Sequence, residues 1–360
     1  MQLRIKKIVI GIIAGVFAFG TARSQTQTTA VPFQLISPDA RASGMGDAGA
    51  GIADNANAIY WNPSGLAFQT GKEVYLTHAQ WLPQFNSDLF YEYITFKWND
   101  EQNFGGTIGA QIIFLNLGQF IYTTEQSPDP LGTFHSFEYS IALSYATKLS
   151  PDWGFGGTVR YIQSSLSPLT VGQEKTTGIG RSVSFDISAM WRPDSTYIEE
   201  LGNRLAFGIN IANIGPKIKY VDLAQADPIP TILRVGTSYK IIKDEYNDLM
   251  LAFDVAKLLV HRDSATGISD NLPRAFITAW DYMTGKSLMF SFGTEYWYDQ
   301  LLALRAGYYT EGSAVGSRNY LTFGAGLKYD VYNFDFSYID TFDANHPLAN
   351  TLRFSLGIKW

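Results

Sequence analysis

The sequence predicts an all-β fold: a fourteen-stranded antiparallel transmembrane β-barrel with a small N-terminal plug segment. Three observations carry that prediction. Segments that alternate apolar and polar residues recur from residue 73 to residue 360. The connections between them alternate short and long, which is the arrangement of a barrel with tight turns on one rim and loops on the other. The composition is rich in aromatics (15%, with 21 Tyr and 24 Phe) and Gly (33), and charged residues are only 17%, below the roughly 25% usual for soluble domains.

The alternation is clearest at 350–360, N-T-L-R-F-S-L-G-I-K-W. Leu352, Phe354, Leu356, Ile358 and Trp360 share one face, and Thr351, Arg353, Ser355, Gly357 and Lys359 the other. A soluble sheet turns the apolar face to a core; an outer-membrane barrel turns it to lipid. One strand cannot choose between these. The aromatic Trp360, with Phe354 on the same face, resembles an assembly signal of outer-membrane barrels.

Residues 1–24 are expected to be a signal peptide. Arg4, Lys6 and Lys7 precede an apolar run over 8–19, and Ala22-Arg23-Ser24 is a small-x-small cleavage site. The run is too short for the roughly 20 helical residues that span a bilayer. No Cys exists to carry a lipid anchor. Removing 1–24 takes away four basic residues and no acid, so the net charge moves from −6 to −10. An acidic chain argues against nucleic acid as a partner. No later apolar run approaches roughly 18 residues, so membrane residence rests on strands.

Residues 25–72 are expected to form the plug. Small residues dominate 37–68, without a period of two, and 54–60 suits a short helix. Asn62-Pro63-Ser64-Gly65 is turn chemistry: Pro63 fixes φ and Gly65 permits positive φ. The barrel is assigned to 73–360, with strands at 73–82, 88–98, 104–117, 136–148, 153–166, 181–192, 203–213, 231–240, 248–258, 287–298, 302–310, 319–329, 332–340 and 350–360. The pattern is weakest at 88–98, where aromatics fall on both faces. An even strand count puts both ends of the barrel at the short-turn, periplasmic rim.

Two of the long outer loops carry apolar groups and are candidates for partner binding. Loop 214–230 offers Pro216, Ile218 and Tyr220. Loop 259–286 offers Phe276, Trp280 and Tyr282; Pro273 suits a first helical position, and Phe276, Trp280 and Met283 recur at helical spacing. Exposed aromatics on stiff loops suit protein recognition; equally, these side chains can pack together and close the barrel mouth.

No reaction, cofactor or metal is expected. Gly44-Met45-Gly46-Asp47-Ala48-Gly49 matches G-x-G-x-x-G, but no strand leads into it and no βαβ unit follows. His78, His135, His261 and His346 show no metal-ligand spacing. No Gly-x-Ser-x-Gly elbow supports a hydrolase.

Residues 56–67, A-N-A-I-Y-W-N-P-S-G-L-A, look like the N-terminal motif of FadL-type transporters and the PorV/PorQ group, with Ser64 in place of an Ala. Ser37-Pro38-Asp39-Ala40-Arg41-Ala42-Ser43-Gly44-Met45-Gly46 favours PorV/PorQ, and so do Asn213-Ile214-Gly215-Pro216, the run 228–236, Arg305-Ala306-Gly307-Tyr308-Tyr309 and the run 346–354. The chain therefore resembles the PorV/PorQ group of the type IX secretion system of Bacteroidetes. The resemblance implies a FadL-like barrel in the outer membrane and no catalysis. It implies as partners the large translocon barrel, the C-terminal domains of secreted cargo, the surface attachment complex and outer-membrane lipid. It implies a shuttle that takes cargo from translocon to attachment complex. A transporter of hydrophobic small molecules and a PorQ-like paralogue are the alternatives.

Overall fold

A computed structural model describes residues 29–85, 88–123, 129–171, 176–193, 201–220, 226–263, 266–280 and 285–360. The signal-peptide expectation over 1–24, and Tyr282 and Met283, fall outside them.

Fourteen antiparallel strands close into one barrel, each pairing with its sequence neighbours, and the first with the last. They are β1 Lys72–Gln80, β2 Phe90–Asp100, β3 Gly106–Tyr122, β4 Gly132–Lys148, β5 Trp153–Val171, β6 Thr176–Trp191, β7 Leu205–Ile214, β8 Ile232–Lys243, β9 Asn247–Leu258, β10 Leu288–Tyr298, β11 Leu302–Glu311, β12 Asn319–Tyr329, β13 Tyr332–Thr341 and β14 Leu352–Lys359. Every strand expected from the alternation is present. The clear difference is on β3 to β6, which run several residues farther toward the outer rim than the pattern indicated. There the ladder shifts register, between Asn116 and Gln119 on β3 and between Ser165 and Thr170 on β5, so the period of two is interrupted and the pattern underreads the strand length. In the loop 259–286 a helix occupies Leu272–Thr278, with Pro273 in its first turn.

Burial is inverted relative to a soluble sheet. On β6 the outward Val183, Phe185 and Ile187 are exposed, whereas Ser184, Asp186 and Ser188 are buried. On β14 Phe354 is exposed, and Arg353 and Ser355 are buried. Water would penalise such an apolar exterior, and hydrocarbon does not. Closure leaves no unpaired strand edge, which hydrocarbon could not satisfy. The seam continues past the β1–β14 ladder: Lys72 and Trp360 exchange backbone hydrogen bonds of 2.8 and 2.9 Å.

The N-terminal residues fill the lumen. Two short helices, Ala40–Ser43 and Ala58–Trp61, and a 3-10 helix at Pro63–Phe68 lie inside the wall. The irregular pattern at 88–98 now has a reason: Tyr91 and Tyr93 point inward and pack with Phe33, Tyr60 and Trp61 of this segment. Aromatics on both faces of β2 serve lipid outside and plug inside.

Candidate functional site: the filled lumen and the outer rim

The lumen wall is polar, so the N-terminal segment is held by charge and hydrogen bonds as well as by apolar contact. Asp39 caps the helix Ala40–Ser43, accepting from the Ala42 N–H at 2.9 Å and from the Trp61 indole N–H at 2.7 Å. Burial pushes the Asp39 carboxyl above its ordinary value, against the pull of those two donors. Arg41, two residues on, forms a two-point pair with Glu295 of β10 at 2.8 and 2.7 Å and also pairs with Asp54. Burial acts to raise the Asp54 carboxyl, but the Arg41 charge and hydrogen bonds outweigh it and hold it below the ordinary value.

The pairing continues along the wall. Arg305 of β11 donates to Glu295 at 2.7 Å and pairs with Asp335 of β13 at 2.7 Å. The result is a chain Asp54–Arg41–Glu295–Arg305–Asp335 that ties the plug to three strands. Sequence reasoning missed its role; the available signal was that Glu295, Arg305 and Asp335 sit on lumen faces of expected strands, and that Glu295 and Arg305 stand opposite each other in register.

Elsewhere the wall holds plug backbone. Asp254 of β9 accepts from the Gly49 and Ala50 N–H groups, both at 2.7 Å. Glu73 of β1 accepts from the Ala56 N–H at 2.7 Å, and the Thr322 hydroxyl accepts from the Gly46 N–H at 2.8 Å. The glycines of the G-x-G-x-x-G match are close-approach points. A Cβ on Gly46, which has φ +66°, would lie 2.6 Å from the Tyr308 nitrogen, and one on Gly49 would lie 2.4 Å from the Trp61 ring.

The turn Asn62-Pro63-Ser64-Gly65 is buried and ordered inside the barrel. Asn62 donates to the Ala50 carbonyl at 3.1 Å, and the Ser64 N–H donates to the Ser188 hydroxyl of β6 at 2.9 Å. The expected reason for Gly65 requires correction. It lies in the right-handed 3-10 helix Pro63–Phe68, so positive φ is not needed there. Space is: a Cβ on Gly65 would sit 2.1 Å from the Ala53 carbonyl oxygen.

Above the plug a cavity of about 50 Å³ is lined by Tyr60, Trp81, Arg234, Arg318, Tyr320 and Arg353, among others. That is room for a few waters, against the roughly 300–1,000 Å³ of sites that take small organic ligands. Among the described residues no group of His, Asp and Glu is placed to hold a metal.

At the outer rim the two candidate loops behave differently. Ile218 is fully buried and Tyr220 packs beside it; both lie over Gly180, where a Cβ would come within 2.9 Å of either. The expectation that this cluster is displayed is therefore corrected for Ile218: it bridges to Asp227 and, with Tyr220 and Ile229, joins the buried cluster that holds Tyr60 and Tyr91. Pro216 stays exposed. Asn213 sets up the loop by taking φ +59°, its N–H donating to Asp186 at 2.8 Å and its amide to the Pro230 carbonyl at 3.2 Å. In the other loop the helix Leu272–Thr278 leaves Ile277 73% and Trp280 39% exposed, with Phe276 half-buried. The Lys257 ammonium sits 5.7 Å from the Trp280 ring centroid. Asp270 holds the helix, bonded to His261 at 2.7 Å and to the Thr278 hydroxyl at 2.8 Å. Phe354 and Trp360 both face outward, with no part in the lumen.

A model of the family "Type IX secretion system protein PorV" matches residues 19–264. The chain belongs to the PorV family. The match runs from the N-terminal segment through β9, so it spans the plug, the Asn62–Gly65 turn and the 214–230 loop of this PorV-family barrel. No curated protein shows significant similarity to it. Among solved structures it is similar to the Pseudomonas putida toluene transporter TodX, with 11% identity, a TM-score of 0.54, and coverage of 89% of this chain and 98% of that one. It is also similar to CymD, a monoaromatic hydrocarbon channel, with 13% identity, a TM-score of 0.50, and coverage of 91% and 98%. At such identity the likeness shows the fold alone. Fold and family together make this an outer-membrane β-barrel of the type IX secretion system.

Proposed function

We propose that this PorV-family barrel is a protein-handling subunit of type IX secretion. It takes the C-terminal domains of secreted cargo at the large translocon barrel and passes them to the surface attachment complex. Export by a signal peptide cleaved after Ser24 belongs to the same reading, as does a role for Phe354 and Trp360, on the outward face of β14, in membrane insertion. The observation that carries the proposal is the family match over residues 19–264. The filled lumen supports it: with a cavity of about 50 Å³ above a plug bound to many strands, a protein ligand has to be met at the rim. Ile277 and Trp280, displayed on the helix tethered by Asp270, are the rim groups that suit such a contact, since exposed aromatics are frequent binding hot spots.

A conduit for hydrophobic small molecules is the second reading, favoured by the fold shared with TodX and CymD. The two separate in one experiment. Ile277→Ala with Trp280→Ala leaves the barrel folded and abundant, and cargo recovered with a tagged barrel from detergent-solubilised outer membranes is expected to fall at least tenfold. Unchanged cargo recovery and unchanged secretion refute the rim contact. Uptake of a hydrophobic solute that depends on the barrel, with secretion intact when the barrel is deleted, favours the conduit.

A further inference from the structure

The barrel wall steps up sharply between β2 and β3. β1 and β2 have 9 and 11 residues, against 17 for β3 and for β4. The β2 ladder ends at Phe90, opposite Asn116. Above that point β3 runs on to Tyr122 with β4 on one side only: Gln119 faces His135, Phe120 faces Phe134, Ile121 faces Thr133 and Tyr122 faces Gly132. Among the described residues no strand pairs with the other side of this upper stretch. The Tyr122 carbonyl accepts from the Leu131 N–H at 3.0 Å, so Tyr122, and by alternation Phe120, turn their main-chain groups toward β4. Those of Gln119 and Ile121 therefore point out of the open edge. Ile121 is fifteen residues beyond Gly106, where β3 starts at the periplasmic rim. That is about 50 Å along the strand, or about 35–40 Å of height at a tilt of roughly 35–45°, against an apolar band about 25 Å tall.

Water, not hydrocarbon, meets this edge, yet its side chains are apolar. Phe120 is 46% and Ile121 64% exposed, as is Leu131 at the end of the hairpin, at 56%. Phe120 stacks on Phe134 with ring centroids 5.8 Å apart. An open strand edge in water is a template for another strand, and proteins commonly blunt it with charge or Pro. The stretch 117–122, L-G-Q-F-I-Y, has neither. The unpaired main-chain groups specify what fits: an extended polypeptide, whose backbone bonds to Gln119 and Ile121 and whose apolar side chains rest on Phe120 and Ile121. Such pairing reads main chain and so accepts partners of different sequence. We propose that the upper edge of β3, residues 119–122, receives an extended strand of the cargo's C-terminal domain as an added member of the sheet. The inference rests on the reading that cargo is met at the rim. It adds a contact across the mouth from the Leu272–Thr278 helix, since β3 and β10 are seven strands apart either way round the barrel.

The test compares main chain with side chain at one position. A tagged barrel is recovered from detergent-solubilised outer membranes, and cargo is scored as co-recovered protein that is also found in the medium. Ile121→Pro removes an N–H from the open edge and none from the β3–β4 ladder, a place where a sheet tolerates Pro. Heat-modifiable migration is retained, and cargo recovery is expected to fall by about tenfold. Ile121→Ala keeps the N–H and is expected to lose less. Equal losses in the two variants, or full recovery by the folded Ile121→Pro barrel, overturn the added strand. If Ile121→Pro fails to assemble, benzoylphenylalanine in place of Ile121 in intact cells decides: a discrete adduct with cargo is expected, and no adduct, lipid alone, the translocon barrel or a second copy of this chain each overturn the proposal. A native barrel that recovers no cargo overturns the protein-handling reading and this inference together, whereas cargo recovered equally by the native and Ile121→Pro barrels removes the added strand alone.

Discussion

Arg41 carries the ion pair that joins the plug to Glu295 of β10, and Arg41→Ala tests how much that pair holds. The substitution leaves Glu295 with Arg305 as its remaining cation, and Asp54 without its pair. Removing one member of a buried ion pair costs about 3–5 kcal/mol, because the other charge stays buried. Arg305 keeps Glu295 partly compensated, and the Asp54 side chain is 39% exposed and screened, so the lower end applies, about 3 kcal/mol. The fourteen-strand ladder is untouched, so the loss falls on plug docking. At 1.4 kcal/mol per tenfold, amide exchange in 37–68 is expected to speed up by about two powers of ten. Strand amides should stay protected and gel migration heat-modifiable. Arg41→Lys, which keeps the charge and loses the two-point geometry, should lie between. Adding Glu295→Gln to Arg41→Ala should cost less than the sum of the single changes, since it removes the orphaned charge. Unchanged exchange in 37–68 with a folded barrel, or additive effects, refutes the argument.

Gly65→Ala is expected to destabilise the plug by about 1–3 kcal/mol through overpacking against Ala53, and Gly46→Ala by more, because φ +66° adds backbone strain; protease access to 37–68 reads both. The rim helix should respond to acid. Burial acts to raise the Asp270 carboxyl, but its bonds to Thr278 and His261 and the nearby Arg274 outweigh that and hold it below the ordinary value. A group depressed on folding contributes fully above its unfolded value, near about 3.9, and loses that contribution as pH falls through its folded value. Exchange protection of 266–280 should therefore be flat from neutral pH to about 4 and collapse below it, and Asp270→Asn should abolish the step; an identical step in the variant refutes the assignment. The rim-helix and β3-edge substitutions described above complete the set, with cargo recovery and crosslinking as their measurements.

Much of the architecture was written locally. A period of two needs no knowledge of the rest of the chain: side chains alternate across a strand, so Val183-Ser184-Phe185-Asp186-Ile187-Ser188 announces a two-faced strand by itself. Short turns such as 330–331 and long loops such as 259–286 then set the rims. The Asn62–Gly65 turn was legible from its residue types, though the reason for Gly65 was not, because a close approach to Ala53 is a fact about a neighbour twelve positions away and not about a dihedral.

What the sequence by itself determined is a count of strands, their order, and a polar lumen under an apolar exterior, all consequences of alternation and antiparallel closure. What only the tertiary structure decided is everything that depends on which distant residues meet. Arg41 and Glu295 are 254 positions apart, and nothing local marks them as partners. Ile218 looks like a displayed residue in sequence and is buried because it packs into the same cluster as Tyr60, Tyr91 and Ile229. The upper edge of β3 is open only because the β2 ladder ends opposite Asn116 while β3 runs on to Tyr122. Periodicity is a property of the backbone and is read one residue at a time; ion pairing, close packing and the height of a wall are properties of the closed surface, which exists only once the first and last strands have met.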